Sequence, residues 1–193
     1  MKKITLFSFV ILSLISCSND SNSLIEEKES LSSKDASTQK VSVTKSVVEA
    51  ESKIQQLQKN QSLNVDFQGN RLRLTMQDDC NLVLYYEKPA SNFTLTLWKT
   101  NTNRLLTSSD IALASAQTDG NFVVYQKAPY VLSNSVWATN SYVGSVSNPY
   151  IKLQLVRVKN ELLGTQKYVY KLLIEGNGTD RVVVAEGDLA PNM

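Results

Sequence analysis

One sequence pattern, Gln-x-Asp-x-Asn-x-Val-x-Tyr, occurs twice in this chain without substitution. Its defined positions are Gln77, Asp79, Asn81, Val83 and Tyr85 in the first copy and Gln117, Asp119, Asn121, Val123 and Tyr125 in the second. Because successive side chains of a β-strand point to opposite faces, each copy predicts a strand that carries these five side chains in one row. The apolar residues between them, such as Leu82, Leu84 and Phe122, then face a core. The pattern therefore predicts repeated, half-buried β-structure.

The predicted row of side chains is suited to a ligand rich in hydroxyl groups. A carboxylate accepts hydrogen bonds, the amides donate and accept, and a phenol does either. Valine adds an apolar patch for the C–H groups of a sugar ring. Five alternate positions span about 13 Å, a little more than one hexose ring. The alternative is an amphipathic strand whose polar side only meets solvent, but solvation does not require five identical residue types in both copies.

The two copies lie within longer repeats, at about 63–101 and 105–140. Each tyrosine is followed by a loop that contains Pro89 or Pro129, and then by a Trp-x-Thr-Asn segment at 98–101 or 137–140. This order indicates strand, turn and strand, twice over. A single repeat of this kind cannot bury its own apolar face, so the repeats should share one core, with the two tryptophans packed in it.

In these residues the chain resembles the bulb-type mannose-binding lectins, whose signature is the same pattern. The resemblance covers about 52–140 and implies an all-β fold of the β-prism II type, with three four-stranded antiparallel sheets related by a pseudo-threefold axis. It implies that Asp79 and Asn81 hold the mannose 2-hydroxyl, Gln77 the 3-hydroxyl and Tyr85 the 4-hydroxyl, with Val83 against the ring carbons. The second copy would repeat these roles. Binding would need no metal and no cofactor, and the partners would be mannose-containing glycans.

The chain departs from the family pattern in its carboxy-terminal part. Residues 141–193 hold no third copy but contain strand-like segments at 151–158, 167–174 and 181–187. They predict a degenerate third sheet and a tail. The family commonly pairs a cysteine at the position of Cys80 with a second one that would fall near Ala112. This chain has no cysteine there, so the resemblance to the family implies that this disulfide is absent. Family members often exchange carboxy-terminal strands, which would make a homodimer through this tail.

The amino terminus has the features of a secretory leader. Lys2 and Lys3 precede an apolar run at 4–15, too short to span a bilayer as a permanent helix. The tetrad Leu-Ile-Ser-Cys that ends at Cys17 resembles a bacterial lipobox. We therefore expect a lipoprotein signal peptide at 1–16 and a lipid anchor on Cys17. The alternative is an ordinary signal peptide with a chance cysteine.

A polar segment separates the predicted anchor from the predicted lectin domain at 52–193. Residues 17–51 are rich in Ser, Asn, Lys and Glu, and they contain no Gly or Pro, which is typical of a flexible tether. Apolar residues at 47–57 have a nearly helical period and favour a short helix, with a linker or an entering strand as alternatives. Ser18 after the cysteine, without an adjacent Asp, favours the outer membrane of a bacterial envelope.

The composition excludes several classes of chemistry. The chain has no histidine, which removes histidine-based triads and metal sites. A glycosidase needs two carboxylates across one bond, but Asp79 and Asp119 belong to different repeats. Loss of the leader takes Lys2 and Lys3 away, which leaves 18 basic and 18 acidic residues, so no charge favours nucleic acid.

The sequence therefore predicts a metal-independent, non-enzymatic, mannose-binding lectin anchored to the envelope by a lipid. Two other readings remain at this stage. One is a structural or protein-interaction lipoprotein with idle sugar sites, and the other is a lectin used in antagonism between bacteria.

Overall fold

The computed structural model describes residues 43–103 and 111–189, and β-strands make up most of them. The strands are β1 Thr44–Ile54, β2 Gln56–Gln58, β3 Ser62–Phe67, β4 Asn70–Met76, β5 Leu82–Lys88, β6 Phe93–Lys99, β7 Leu113–Ala116, β8 Phe122–Tyr125, β9 Ser135–Ala138, β10 Tyr150–Asn160, β11 Thr165–Gly176 and β12 Thr179–Leu189. Two 3₁₀-helices occupy Pro89–Ser91 and Leu132–Asn134. The predicted leader, Cys17 and the tether up to residue 42 lie outside the described residues. Neither described helix has the length and apolar character needed to cross a membrane.

The strands form three antiparallel sheets of four strands each. The first sheet has the order β3-β4-β5-β6, the second β2-β7-β8-β9 and the third β1-β10-β11-β12. The first and second sheets each contain one copy of the repeated pattern, and the third contains none. This confirms the predicted all-β, β-prism II architecture with a degenerate third sheet.

One hydrophobic core joins the inward faces of all three sheets. Leu84 of β5, Val124 of β8 and Leu153 of β10 are fully buried in the same cluster. Alternate residues of each strand enter it, as the period of two in the sequence predicts. Because each sheet alone would leave this face in water, the third sheet completes the core although it lacks the pattern.

The two tryptophans pack against this core, as the repeats predict. Trp98 and Trp137 meet edge to face, with ring centroids 5.5 Å apart and an interplanar angle of 77°. Trp137 makes a second edge contact with Phe122 at 5.8 Å. Such aromatic pairs contribute about 0.5–1.5 kcal/mol each beyond area burial. The tryptophans therefore link the first and second sheets.

The predicted short helix at 47–57 is wrong, and the alternative of a strand is right. β1 pairs antiparallel with β10 from Thr44 opposite Asn160 to Ile54 opposite Ile151. The folded part thus begins ahead of residue 52, and the predicted tether of 17–51 extends too far, because β1 already begins at Thr44. A helical period with Glu49 four residues before Lys53 is only a local signal for a helix. Pairing along the length of β10 outweighs this local preference and makes the segment a strand. In the sheet these two side chains bind Arg157 and Glu175 instead.

The outward face of the third sheet carries a buried ionic cluster at one end. The side chains of Lys152 and Glu175 are only 8% and 7% exposed, and their charged atoms are 2.9 Å apart. Lys53 Nζ donates to the other oxygen of Glu175 at 2.8 Å, and Asp180 also pairs with Lys152. The hydrogen bond from Lys53 outweighs burial and, together with Lys152, holds the pKa of Glu175 below its usual range. Burial lowers the pKa of Lys152, but its hydrogen bonds with Asp180 and Glu175 raise it more.

Candidate functional site

Each copy of the repeated pattern spans a tight hairpin turn rather than one strand. β4 ends at Met76 and β5 begins at Leu82, so Gln77, Asp79 and Asn81 lie between the strands. Gln77 N donates to Asn81 O at 2.9 Å, and the second copy repeats this bond at 2.8 Å from Gln117 to Asn121. The prediction of a single straight row is therefore wrong. We call the first set of five residues site 1 and the second set site 2.

A left-handed residue closes each turn. Cys80 has φ +68° in the first copy, and Gly120 has φ +83° in the second. Glycine adopts this conformation without strain, whereas cysteine does so rarely. Cys80 is fully buried, as is Ala112, and its Sγ donates to Tyr125 O at 3.6 Å. This hydrogen bond links the turn of site 1 to β8, the strand that carries Tyr125 of site 2.

The turn brings the first and last residues of each pattern into contact. Gln77 Nε2 donates to the hydroxyl of Tyr85 at 2.9 Å, and Gln117 Nε2 donates to the hydroxyl of Tyr125 at 2.6 Å. In this arrangement the phenolic hydrogen and the amide oxygen stay available to a ligand. Each site is therefore a compact group of side chains and not an extended row.

The aspartates are oriented by their own turns. Asp79 Oδ1 accepts from Asn81 N at 3.0 Å, and Asp119 Oδ1 accepts from Asn121 N at 2.9 Å. A carboxylate that binds the backbone two residues ahead is fixed in direction. The second oxygen, Oδ2, accepts from Asn103 Nδ2 at 2.9 Å in site 1, and a carboxylate oxygen keeps a further lone pair for a ligand. Each aspartate thus offers a preorganised acceptor.

The asparagines are buried and use their carbonyl oxygens within the protein. Asn81 Oδ1 accepts from Thr100 Oγ1 at 3.1 Å and from Thr102 N at 3.4 Å. Asn121 Oδ1 accepts from Thr139 Oγ1 at 2.8 Å and from Asn140 N at 2.9 Å. The oxygen of each asparagine therefore holds the segment that follows β6 or β9 in place. Its amide nitrogen is the group that remains for a ligand.

Two threonines support site 1 from behind, and they were not predicted as site residues from the sequence. Thr100 Oγ1 accepts from Leu82 N at 3.1 Å and lies 2.7 Å from Thr102 Oγ1, which donates to Cys80 O at 2.7 Å. These bonds fix the turn and the start of β5 from behind. The Thr-Asn-Thr sequence after Trp98 was the available signal, because its first two residues recur after Trp137.

The second repeat builds the same support. Thr139 Oγ1 accepts from Phe122 N at 3.0 Å and lies 2.7 Å from Ser141 Oγ, which donates to Gly120 O at 3.0 Å. Thr139 and Ser141 correspond in position to Thr100 and Thr102. The repetition of side chains, backbone partners and turn shows that both sites use one supporting scaffold.

Replacement of Thr100 by valine tests this support. The change keeps the shape of the side chain but removes the acceptor for Leu82 N and the donor to Asn81, both buried. We expect the free energy of unfolding to fall by about 1–3 kcal/mol. Chemical denaturation measures this. Thr96→Val, an exposed change in β6, the strand that leads to Thr100, should stay within about 0.5 kcal/mol, and equal effects for the two variants would contradict the supporting role.

The valines of both sites are less accessible than the sequence predicts. Val83 is 2% exposed and Val123 4% exposed, so each offers a ligand only a small apolar surface. Val123 packs with Leu113, Tyr125 and Ala138 in a small cluster on the outward face of the second sheet. The neighbouring strands therefore cover part of what the pattern alone places on the surface.

The walls of the two sites differ in charge. Arg73 lies opposite Tyr85, with its guanidinium 4.8 Å from the ring centre, and it binds Glu87 at 2.6 Å. In site 2 the corresponding position opposite Tyr125 is Leu113. Lys99 lies opposite Val83, whereas Ala138 lies opposite Val123. At these two positions site 1 therefore has charged side chains where site 2 has apolar ones.

Comparisons with known proteins give one structural similarity. A scan against protein-family models and a search of curated proteins found no match. Among solved structures, the chain is similar to the native mannose-specific bulb lectin of Scilla campanulata (bluebell), with 27% sequence identity and a TM-score of 0.40. The similarity covers 65% of this chain and 83% of that chain. Like the repeated pattern, this comparison gives a mannose-specific bulb lectin as what the chain is similar to.

Proposed function

We propose that the protein is a metal-independent lectin that binds mannose-type sugars at sites 1 and 2. The observation that carries the proposal is the duplicated hydrogen-bonding geometry. In both sites a glutamine binds the tyrosine hydroxyl, and an aspartate is fixed by the backbone two residues ahead. Two turns of different composition, one with cysteine and one with glycine, hold the same side chains in the same contacts. Maintenance of the fold alone does not require this identity.

The available groups match the hydroxyls of a pyranose ring. Each site offers a carboxylate oxygen and a glutamine oxygen as acceptors, and an asparagine amide and a tyrosine hydroxyl as donors. Following the resemblance, Asp79 and Asn81 take the 2-hydroxyl, Gln77 the 3-hydroxyl and Tyr85 the 4-hydroxyl, and site 2 repeats this. Each neutral hydrogen bond contributes about 0.5–1.5 kcal/mol net, so one sugar unit should bind near the millimolar range. Useful strength would then come from two sites per chain acting on one branched glycan.

The proposal includes a lipid anchor on Cys17 in the envelope of a bacterium. A membrane that holds many copies of the chain would multiply the sites available to one glycan. The support for this part is the leader sequence and the lipobox-like tetrad that ends at Cys17. Mass spectrometry of the mature amino terminus tests it, and an unmodified Cys17 would contradict the anchor.

A glycan array with the full-length protein tests the function. We expect signals on glycans with terminal mannose, of equal strength with and without EDTA. Binding confined to other sugars would reject mannose but keep the lectin. Absence of any glycan signal would reject the lectin and favour a role in protein interaction.

A further inference from the structure

We infer that site 2 extends into a second subsite formed by Tyr130 and binds two linked sugar units, whereas site 1 binds one. This inference rests on the proposed function, because it assumes that the repeated pattern holds the first sugar unit. It concerns residues outside the repeated pattern. Its basis is the difference between two sites that share the same polar groups.

Tyr130 stands directly beside the last residue of the pattern in site 2. Its ring centroid is 5.7 Å from that of Tyr125, with an interplanar angle of 55°, and 41% of its surface is exposed. Tyr125 itself is buried, and its hydroxyl binds Gln117. A sugar unit that reaches the Tyr125 hydroxyl therefore has the Tyr130 ring next to it, open to solvent.

The hairpin holds Tyr130 in this position. Gln126 N donates to Asn134 O at 3.0 Å, and Val131 N donates to Pro129 O at 2.9 Å. The side chain of Asn134 also donates to Pro129 O at 2.8 Å. These bonds cross the loop on both sides of Tyr130. The ring is therefore a preorganised surface, which lowers the ordering cost of binding.

A second exposed tyrosine follows the segment that supports the turn of site 2. Ser141 donates to Gly120 O in the turn, and the next residue, Tyr142, is 69% exposed. At the corresponding place in the first repeat, Asn103 Nδ2 donates to Asp79 Oδ2 at 2.9 Å. An internal side chain thus already binds Oδ2 of the aspartate in site 1. A tyrosine stands at that position in site 2.

Among the described residues, no aromatic ring packs beside Tyr85 in site 1 as Tyr130 does beside Tyr125 in site 2. Pro89 and Pro129 follow their tyrosines at the same spacing, but the next residue is Ala90 in one hairpin and Tyr130 in the other. The ring of Tyr85 is faced instead by Arg73, which Glu87 neutralises. Within the part of the chain that the structure describes, site 1 therefore offers polar groups for one sugar unit and no ring for a second.

An aromatic ring is a suitable surface for a second sugar unit. The face of a tyrosine ring is negative and attracts the C–H groups on one side of a pyranose, while the hydroxyl adds a polar end. Leu113 and Ala138, which stand where site 1 has Arg73 and Lys99, favour such a contact over a charged ligand. We therefore expect a neutral, linked disaccharide to be the minimal full ligand of site 2.

Calorimetric titration of full-length variants tests the inference. Asp79→Asn silences site 1, so that binding reports on site 2 alone, and the ligands are methyl α-mannoside and the set of α-linked mannobioses. We expect at least one mannobiose to bind about five- to tenfold more tightly than the monosaccharide. Adding Tyr130→Ala should bring this ratio to about two, the statistical value, with the monosaccharide affinity kept. Tyr130→Phe should retain most of the advantage.

The matched control is Phe93→Ala. Phe93 belongs to the other hairpin and is 42% exposed, close to the value for Tyr130, but it pairs with Lys88 away from site 1. Its loss should leave both affinities unchanged. A mannobiose advantage that is absent, or that survives Tyr130→Ala, overturns the subsite while the lectin function stands. Failure of both ligands to bind any variant or the unmodified protein overturns the proposed function.

Discussion

Replacement of Asp79 and Asp119 together by asparagine is expected to abolish retention of the protein on immobilised mannan. Each carboxylate uses Oδ1 for the backbone of its own turn and keeps acceptor capacity on Oδ2, which in site 1 also accepts from Asn103. Asparagine can still accept the backbone hydrogen bond, so the turn should remain. It lacks the negative charge, and a hydrogen bond from a sugar hydroxyl to a charged acceptor is worth about 1.5–3 kcal/mol. Each site should therefore lose about ten- to a hundredfold in affinity.

Affinity chromatography measures this result, and thermal unfolding shows that the fold is kept. Because retention depends on two sites, each single variant should elute earlier than the unmodified protein but later than the double variant. Asp78→Asn is the matched control, since it removes the same charge from an exposed neighbour in the same turn. Retention of the folded double variant at the level of the control would reject sugar binding through these sites.

The period of two in the repeated pattern predicted much of the fold because it reports which face of a strand is buried. Leu82, Leu84 and Phe122 all lie in the core, as their alternation with polar residues indicates. The tryptophans were placed in the core for a similar reason, since a repeated large aromatic residue in a small repeat has few other places to pack. Side-chain chemistry and spacing are sufficient for such predictions.

The hairpin within each pattern could not be predicted in the same way. Alternation continues through the turn, because Gln77 and Asn81 pair across it by a backbone bond. The chain reverses through the left-handed conformation of Cys80, and cysteine gives no sequence signal for that conformation. Gly120 gave the signal in the second copy. The residues on either side of Cys80 and Gly120 are the same in both copies. This identity favoured the prediction of a shared strand over that of a shared turn.

Long-range pairing explains the other errors. The strand β1 exists because β10 offers it an unpaired edge about 100 residues away in the chain, and no local window contains that information. The different walls of the two sites have the same origin. Arg73 and Leu113 become neighbours of Tyr85 and Tyr125 only through the register of the sheets. A pattern identifies the polar groups of a site, and register decides what surrounds them.

Replacement of Lys152 by methionine is expected to lower the free energy of unfolding by about 3 kcal/mol at neutral pH. The change keeps an unbranched side chain but leaves the buried Glu175 with Lys53 as its remaining cation, and that lysine is about half exposed. Loss of one partner from a buried pair costs more than the pair contributes, because the other charge stays away from water. Urea denaturation measures the difference.

The loss should depend on pH in a defined direction. Hydrogen bonds from Lys53 and Lys152 hold the pKa of Glu175 below its ordinary value, so its stabilisation is complete above the pKa of the unfolded chain. It disappears as the pH falls through the lower pKa of the folded state. The difference between Lys152→Met and the unmodified protein should therefore shrink as the pH falls from the ordinary glutamate range through the lower pKa of Glu175 in the folded state.

Two further variants separate burial from charge. Lys171→Met makes the same substitution on the neighbouring strand, where Lys171 and Glu186 form an exposed pair 3.6 Å apart, and it should cost less than about 1 kcal/mol. The double variant Lys152→Met with Glu175→Leu replaces the buried pair by apolar groups and should recover most of the lost stability. Equal losses for Lys152→Met and Lys171→Met would show that the cluster is solvated. In that case the third sheet would rest on its apolar core alone.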